Sequence, residues 1–466
     1  MLQLLFFVLL SLIPYVIPTS FDIRLDLKHV DADSGLTRVE LLRRAALRGK
    51  SRATSLIHNS TINAPVQSNG AEYLVELAIG SPAQPVMLIL DTGSDLIWTQ
   101  CQPCLECFNQ SLSLYAPSNS STFSRLSCSS KLCRALSLSA CHGLCMYMYG
   151  YSDKSTTIGV LGAETFTFGT TTKKVKIPRL GFGCGILNQG IFLTESGIAG
   201  FGRGPLSLIS QLKSKKFSYC FTPIHDYKRS TLFFGTLANP KKIRSGSIKT
   251  TPLIKNPLRP SLYYLSLNGI TVGNKRLKIP KSAFTIKENG NGGVIIDSGT
   301  GFTRLNRVAH DQVKSAFASQ LKLSVINDST GTFDVCFSVP ISSYLRVEVP
   351  KLIYHFEGAD MDVPRDNYVV DLDEGGGLMC LLVSKSKSND VSIIGNIHQQ
   401  NMWIEYDLEK NELGSISAPS KWNISFGTST FADGDDGSEK QRSKTSAVAL
   451  ATGGFTCDKK ALLTSL

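Results

Sequence analysis

Two short segments, far apart in the chain, repeat one pattern, and this repetition constrains the fold more than any other feature. VMLILDTGSDLIW at 86–98 and GVIIDSGTGFTRL at 293–305 each consist of an apolar run followed by Asp, a hydroxyl residue, Gly and a second hydroxyl residue. One such string alone is typical of a surface turn. Two copies, each directly after an apolar strand, indicate two related lobes that each supply one Asp.

A second repeat follows each of these segments at a similar distance. GIAGFG at 197–202 and SIIGNI at 392–397 both carry two apolar residues beside a Gly. We therefore predict an N-terminal lobe over 66–250 and a C-terminal lobe over 251–426. The segment 237–252 is the predicted crossing between them.

The rest of the sequence favours a fold made mainly of β-strands. Short runs rich in β-branched and aromatic residues, such as ETFTFG and YYLSLNGITVG, are bounded by Gly, Pro, Asn and Ser. Helical periodicity is scarce after residue 66. We predict helices only over Thr37–Arg48 and over Arg307–Leu321, the second with Asn306 as its cap.

The two repeated Asp residues, Asp91 and Asp297, suit acid–base hydrolysis. Cleaving an amide with water needs a base for the water and an acid for the departing group. Two carboxyl groups that lie close together do not both ionise easily, so one of them keeps its proton. The ionised group can then act as the base and the protonated group as the acid, a pattern known for carboxylate pairs of this kind. Two glycines in the motifs, Gly93 and Gly299, permit a tight turn. Two hydroxyl residues, Ser94 and Thr300, can donate hydrogen bonds to the carboxylates.

Composition and motifs exclude several other classes of function. The chain has 466 residues, of which 42% are hydrophobic, enough for two substantial cores. Its net charge of +12 is scattered rather than blocked, so we expect no nucleic-acid partner. The sequence contains no H-E-x-x-H zinc motif, no G-x-S-x-G elbow and no G-x-x-x-x-G-K-[ST] phosphate loop.

The two ends of the chain differ from the middle. Residues 1–20 form an apolar run interrupted by two prolines, which favours a signal peptide, although a buried apolar segment is the alternative. Residues 21–65 are rich in Lys and Arg and are predicted to be a prosegment; an ordinary solvated helix face remains the alternative. Residues 427–466 are polar and rich in Gly and Ser, which predicts a disordered tail. No later segment is apolar enough for a membrane anchor.

The chain has 12 cysteines, and a predicted signal peptide makes disulfides more plausible than a metal centre built on Cys101, Cys104 and Cys107. The Cys-rich segment spans 101–145. The disulfide candidates are Cys101, Cys104, Cys107, Cys128, Cys133, Cys141, Cys145, Cys184, Cys336 and Cys380. Glycosylation candidates, which fit an exported surface, are Asn59, Asn109, Asn119, Asn327 and Asn423.

Several longer strings make the resemblance to one family specific. DTGSDLIWTQCQPCLECFNQS at 91–111, KFSYC at 216–220 and SIIGNIHQQNM at 392–402 are similar to the pepsin-like aspartic proteases, and within them to the plant nepenthesin-like branch. The resemblance spans roughly residues 64–418. It implies a bilobal β fold with a central cleft for an extended peptide. It also implies catalysis by an activated water without metal or other cofactor, and synthesis as a zymogen.

The resemblance also assigns roles to individual residues. It makes Asp91 and Asp297 the catalytic pair and has Thr92 and Ser298 bond across the lobes. Trp98 stands where the family keeps a Trp that bonds a tyrosine in the flap, the hairpin over the cleft, and Tyr151 is our candidate for that tyrosine. Alternation of tyrosines in this stretch also fits plain hairpin packing. By the same resemblance the 101–145 insertion and the pair Cys336 and Cys380 carry disulfides.

Three regions depart from the family pattern. The flap has Ser152 and Lys154 where glycines are expected, so a residue with positive φ is predicted to be strained. Gly301 replaces Thr after the second motif and is expected to loosen that turn. The last cysteine, Cys457, stands well beyond its usual place, so Cys220 either pairs with it through a flexible loop or stays free.

We therefore expect an aspartic endopeptidase that acts in acid on protein or peptide substrates, is secreted or vacuolar, and is a monomer. The alternative is a catalytically impaired protein of the same fold that acts as an inhibitor or binding protein. A structural cell-wall glycoprotein would show repeats rather than paired Asp motifs.

Overall fold

The computed structural model describes most of the two predicted lobes and part of the predicted prosegment. It describes residues 22–52, 72–151, 154–169, 174–190, 192–226, 230–239, 248–328, 330–340, 347–372, 377–386 and 391–417. The predicted signal peptide and tail, most of the boundary between prosegment and lobe, and Asn59, Asn423, Ser152 and Cys457 lie outside these residues. Among the described residues, none of the helices is both long and apolar enough to cross a membrane.

The regular elements in the first half of the chain are mainly strands. They are β1 (Ile23–His29), β2 (Tyr73–Ile79), β3 (Gln84–Asp91), β4 (Trp98–Gln100), β5 (Ser124–Arg125), β6 (Ser139–His142), β7 (Leu144–Gly150), β8 (Thr156–Gly169), β9 (Lys174–Gln189), β10 (Gly197–Gly200), β11 (Lys216–Cys220) and β12 (Ser230–Phe234). The helices are α1 (Arg38–Arg52), α2 (Lys131–Arg134) and α3 (Leu208–Gln211).

The second half follows the same plan with shorter strands. They are β13 (Lys249–Ile254), β14 (Tyr264–Leu265), β15 (Leu267–Val272), β16 (Lys275–Arg276), β17 (Val294–Ile296), β18 (Thr303–Leu305), β19 (Val325–Ile326), β20 (Cys336–Ser338), β21 (Leu352–Phe356), β22 (Ala359–Val363), β23 (Val369–Asp371), β24 (Leu378–Leu381), β25 (Val383–Lys385), β26 (Ser392–Ile394), β27 (Met402–Asp407) and β28 (Glu412–Ser417). The helices are α4 (Arg307–Leu321) and α5 (Arg365–Tyr368).

The two sequence repeats occupy equivalent places in the two halves. Strand β3, which ends at Asp91, pairs in parallel with β10, the GIAG segment. Strand β17, which leads to Asp297, pairs in parallel with β26, the SII segment. Each repeat therefore forms a strand buried beside a second apolar strand, which explains why both lie in continuous apolar runs.

One sheet joins the two lobes. Its strands run in the order β1, β12, β11, β27, β28, β13, and all neighbours are antiparallel. The central contact is between β11 of the first lobe and β27 of the second, with Lys216 opposite Asp407 and Cys220 opposite Trp403. The mainly β, bilobal fold predicted from the sequence is confirmed.

Both predicted helices form: the first runs over Arg38–Arg52 and so extends four residues beyond its predicted end, and the second has the predicted bounds. Helix α1 begins after Thr37, whose backbone N–H donates to Glu40 Oε2 at 2.8 Å, and the Glu40 N–H donates back to Thr37 Oγ1 at 3.3 Å. This reciprocal pair is a capping box. Helix α4 begins at Arg307, and Asn306 accepts from the Ala309 N–H at 3.0 Å as predicted.

The segment before residue 66 holds a strand that the sequence analysis did not predict. Strand β1 pairs with β12 from Ile23 opposite Phe234 to Leu27 opposite Ser230, and with β2. Its side chains alternate between buried and half-buried positions. Helix α1 is also packed rather than solvated, because Leu41, Leu42, Ala45 and Ala46 are buried.

Three disulfides lie within the Cys-rich insertion, and a fourth joins the insertion to strand β9 of the first lobe. The described pairs are Cys101–Cys184, Cys104–Cys107, Cys128–Cys141, Cys133–Cys145 and Cys336–Cys380. The pairing predicted for the second lobe is therefore present. Cys220 is disulfide-bonded too, so the alternative that it stays free is wrong, while Cys457 lies outside the described residues. The described glycosylation candidates Asn109, Asn119 and Asn327 are all exposed.

Candidate active site

Asp91 and Asp297 lie at the ends of the two buried repeat strands, where the chain turns back. Their relative exposures are 0% and 1%. The backbone continues each sheet around them: the Phe201 N–H donates to Asp91 O at 2.7 Å, and the Asp297 N–H donates to Ile394 O at 3.1 Å. Backbone hydrogen bonds therefore hold the chain in place at both Asp residues, independently of the side chains.

The Asp91 carboxylate is held by its own turn. The Gly93 N–H donates to Oδ1 at 3.0 Å and Ser94 Oγ donates to Oδ2 at 2.5 Å. Gly93 also faces the second carboxylate, because a Cβ placed on it would lie 2.8 Å from Asp297 Oδ1. Only glycine leaves room for that approach. The two carboxylates therefore meet at Gly93.

The Asp297 carboxylate has the same set of donors. The Gly299 N–H donates to Oδ1 at 2.9 Å and Thr300 Oγ1 donates to Oδ2 at 2.5 Å. Bonds of this kind to ionised oxygens are short and strong. They leave each carboxylate in a fixed orientation, as expected from the paired motifs.

Thr92 and Ser298 bond across the two lobes. The Thr92 N–H donates to Ser298 Oγ at 3.0 Å, and the Ser298 N–H donates to Thr92 Oγ1 at 2.8 Å. Ser298 Oγ donates in turn to Leu90 O at 2.8 Å. Both residues are fully buried, so these bonds hold the two Asp turns at a constant separation.

Tyr151 and Trp98 are hydrogen-bonded to each other. Trp98 Nε1 donates to the Tyr151 hydroxyl at 2.7 Å, and burial raises the pKa of Tyr151 well above its usual value. The Tyr151 ring also lies 5.2 Å from the ring of Tyr149, whose hydroxyl accepts from the Asp95 N–H in the turn after Asp91. Tyr147 is buried in the core of the first lobe, and Tyr149 and Tyr151 pack against the same cluster.

The two departures within the described site have different outcomes. Lys154 has a φ of 71°, so a non-glycine residue does occupy the left-handed region in the flap turn. Its N–H donates to Tyr151 O at 3.1 Å. Gly301 is buried and its carbonyl accepts from the Ile397 N–H at 3.1 Å, so the turn after the second motif is anchored at this residue.

Asp95 is a third buried carboxylate beside the pair, and the sequence analysis assigned it no role. Its Oδ1 accepts from the Gly204 N–H at 2.9 Å, and its Oδ2 accepts from Ser261 Oγ of the second lobe. The Asp95 N–H donates to the Tyr149 hydroxyl at 3.3 Å. Burial raises the pKa of Asp95, and the charge of Asp91 raises it further. The only hint of Asp95 in the sequence was its position directly after the first Asp motif.

A buried network that the sequence analysis missed lies beneath the second turn. Gln399 Nε2 donates to Asp297 O at 3.3 Å and to Ile394 O at 2.9 Å. Gln399 Oε1 accepts from the Tyr219 hydroxyl at 2.5 Å, and Tyr219 lies 2.9 Å from the Tyr406 hydroxyl. No spacing rule could have joined residues so distant in the sequence.

The chain matches two consecutive family descriptions. Residues 73–236 match the family described as Xylanase inhibitor N-terminal, and residues 262–415 match the one described as Xylanase inhibitor C-terminal. The two matched ranges each contain one Asp motif and correspond to the two halves of the fold.

Solved structures confirm the fold. The chain superposes on the crystal structure of edgp with a TM-score of 0.62 at 20% identity, covering 74% of this chain and 91% of that one. For the soybean basic 7S globulin the TM-score is 0.61 at 17% identity, covering 86% and 97%.

Curated relatives are closer in sequence. The chain is 46% identical over 409 residues to aspartic proteinase nepenthesin-1 of Nepenthes gracilis, covering 86% of this chain and 90% of the relative. It is 42% identical over 393 residues to nepenthesin-2 of the same plant, covering 83% and 87%. It is 36% identical to aspartyl protease family protein 2 of Arabidopsis thaliana, covering 84% of each. The chain therefore belongs to the pepsin-like aspartic proteases, in their plant nepenthesin-like branch, and is an aspartic-type endopeptidase.

Proposed function

We propose that this protein hydrolyses peptide bonds in acid with one water held between Asp91 and Asp297. The observation that carries the proposal is the matched geometry of the two turns. Each carboxylate accepts one backbone N–H and one hydroxyl, and both reach Gly93. A symmetric pair of this kind can hold one proton between two oxygens.

The chemistry needs one ionised and one protonated carboxyl group. The ionised group takes a proton from the water, whose oxygen attacks the scissile carbonyl carbon. The protonated group gives its proton to the carbonyl oxygen, which yields a tetrahedral diol. Collapse of the diol breaks the C–N bond while a proton passes to the departing nitrogen. Orientation by the motif donors means that little rearrangement is needed during the reaction.

We infer that the substrate is an extended peptide in the cleft between the lobes. Strand-like binding depends on backbone hydrogen bonds, with pockets for alternate side chains. Tyr151 would close over the peptide and exclude water, supported by Trp98. We expect a preference for large apolar residues around the scissile bond.

We propose that the protein is made as a zymogen with residues 21–65 as its prosegment. Helix α1 supports this, because Leu41 and Leu42 pack in one buried cluster with Phe302 and Ile397, close to the second Asp turn. Arg44 Nη1 lies 3.1 Å from Asp31 Oδ1 within the segment. A basic segment that covers an acidic cleft near neutral pH would be released when the carboxylates of the cleft are protonated in acid.

We further propose export, to the extracellular space or the vacuole, and a monomeric state. Five disulfides among the described residues and three exposed sequons support an oxidising compartment. The alternative of an impaired binding protein is not favoured, because the named relatives are proteinases and both Asp residues are present.

The test is cleavage of a denatured protein by the purified full chain at low pH, with and without pepstatin. We expect cleavage that pepstatin blocks, together with shortening of the chain at its N-terminal end. Asp91→Asn should abolish both the cleavage of the substrate and the shortening of the chain. The control is Asp360→Asn, which alters an exposed carboxylate paired with His355 and should behave as wild type. Cleavage by Asp91→Asn at the wild-type rate would contradict the proposal.

A further inference from the structure

Four aromatic side chains form a continuous wall beside the flap; we call Trp98, Phe108, Tyr151 and Phe192 the aromatic wall. Phe108 and Phe192 are stacked, with ring centroids 4.3 Å apart and planes inclined by 17°. Trp98 meets Phe192 edge to face at 5.4 Å and Phe108 at 6.3 Å. The Trp98 and Tyr151 rings are 6.5 Å apart, in addition to their hydrogen bond.

Phe108 reaches this wall from the Cys-rich insertion. It directly follows the Cys104–Cys107 disulfide. The fully buried Gln100 side chain holds its backbone from both sides: the Phe108 N–H donates to Gln100 Oε1 at 3.0 Å, and Gln100 Nε2 donates to Phe108 O at 3.0 Å. A side chain amide that satisfies both backbone groups of one residue fixes its position.

The loop that carries Phe108 is also bonded to the end of β9. The Leu105 N–H donates to Ile186 O at 2.8 Å and the Glu106 N–H to the same oxygen at 3.1 Å. The Asn188 N–H donates to Glu106 O at 2.8 Å. Strand β9 leads into the segment that bears Phe192, so both stacked rings are held by one bonded unit.

The wall is partly open. Trp98 is fully buried, whereas Phe108, Phe192 and Tyr151 are each half-buried and so keep some ring surface accessible. The Tyr151 ring lies 5.2 Å from the Tyr149 ring, and the Tyr149 hydroxyl accepts from the N–H of Asp95, four residues after Asp91. The partly exposed aromatic surface therefore borders the turn that follows the first catalytic Asp. Leu105, in the same loop, is 74% exposed and takes no part in the wall.

We propose that Phe108, supplied by the disulfide-closed insertion, is a specificity-determining residue that contacts a large apolar or aromatic substrate side chain on the first-lobe side of the cleft. This inference rests on the proposed function of the site. An aromatic ring adds a specific edge or stacking contact to the area it buries. Removing that ring should weaken the binding of aromatic substrate residues and leave small ones unaffected.

The experiment compares Phe108→Ala and Phe108→Leu with wild type, using Leu105→Ala as the matched control from the same loop. Mass spectrometry of a denatured-protein digest gives the residue preference at each position around the cut. Two peptides that differ only by Phe or Ala at the most affected position then give kcat and KM. Phe108→Ala should raise KM for the Phe peptide about 3- to 10-fold with kcat little changed. The Ala peptide and Leu105→Ala should match wild type.

Thermal unfolding of each variant separates specificity from folding. Phe108→Leu keeps an apolar side chain in place, so it should fold as wild type and give an intermediate rise in KM. An unchanged cleavage profile in a folded Phe108→Ala enzyme would overturn the inference, and so would an equal loss on both peptides, which indicates a structural role. A wild-type protein inactive in acid would instead refute the proposed function on which the inference rests.

Discussion

Asp95 adds a carboxylate to a site that already holds two. It is 8% exposed, and it joins the first Asp turn to Gly204 and to Ser261 of the second lobe. A Cβ on Gly204 would lie 2.0 Å from Asp95 Oδ2, so glycine is required there. Burial first, and the charge of Asp91 last, raise the pKa of Asp95. The folded protein thus favours the protonated form of Asp95 more than the unfolded chain does.

This raised pKa predicts how stability depends on pH. The contribution of protonated Asp95 is complete below its unfolded value near 3.8 and is lost as pH rises through the higher folded value. Asp95→Asn cannot ionise, so its stability relative to wild type should increase from pH 3 to pH 7. The gain is about 1.4 kcal/mol for each unit by which the pKa is raised. Denaturant unfolding at both pH values measures it, and a stability difference that is the same at pH 3 and pH 7 would contradict the assignment.

The contribution of His398 to stability depends on pH in the opposite way. It is fully buried, and burial lowers its pKa to about 3. Its neutral form is therefore favoured in the fold, and stability from this group is lost as pH falls from about 6.5 toward about 3. Asp95 and His398 thus oppose each other across the acid range, and the protein's pH of maximum stability reflects both.

Among the elements, the contact between β11 and β27 contains a buried ion cluster. Lys216 Nζ lies 2.7 Å from Glu405 Oε1 and 2.8 Å from Asp407 Oδ2. Both carboxylates are largely buried, and the lysine comes from the other lobe. The cluster therefore couples the two halves of the joining sheet by charge as well as by backbone bonds.

Removing Lys216 should be costly at neutral pH. Lys216→Ala leaves two buried carboxylates without their cation, which should destabilise the fold by about 3 kcal/mol. Lys215→Ala is the matched control, because Lys215 and its partner Glu409 are 70% and 63% exposed and such pairs contribute about 1 kcal/mol or less. Thermal unfolding compares the two variants. Equal effects of both substitutions would show that the cluster does not stabilise the joining sheet.

The elements also show what the sequence could predict. The repeats around Asp91 and Asp297 predicted both lobes because each strand and its turn are local in sequence. Strand β1 was not predicted, although its sequence IRLDLKH alternates as a half-buried strand does. The segment was interpreted as a prosegment with a helix because it is rich in basic residues. The pairing of Cys101 with Cys184 was beyond prediction, since the two are 83 residues apart and only the folded sheet brings them together.

For the whole molecule, the essential arrangement is two equivalent lobes that meet at one pair of acids. The bonds between Thr92 and Ser298 join the lobes at the site, and the sheet through β11 and β27 joins them beneath it. The network of Gln399, Tyr219 and Tyr406 connects these two levels. The sequence predicted the first of these connections through the family resemblance. It could not predict the others, because they depend on tertiary packing.

The central claim is that Asp91 and Asp297 act as one catalytic unit. The most direct measurement is kcat/KM at acid pH for Asp91→Asn, Asp297→Asn and the double variant, each processed to the same N-terminus by an added protease. Groups that act as a unit are strongly non-additive. We predict that each single variant loses at least about 1,000-fold and that the double variant loses no more than either. Losses that multiply in the double variant, or a single variant that retains most of its activity, would contradict the account.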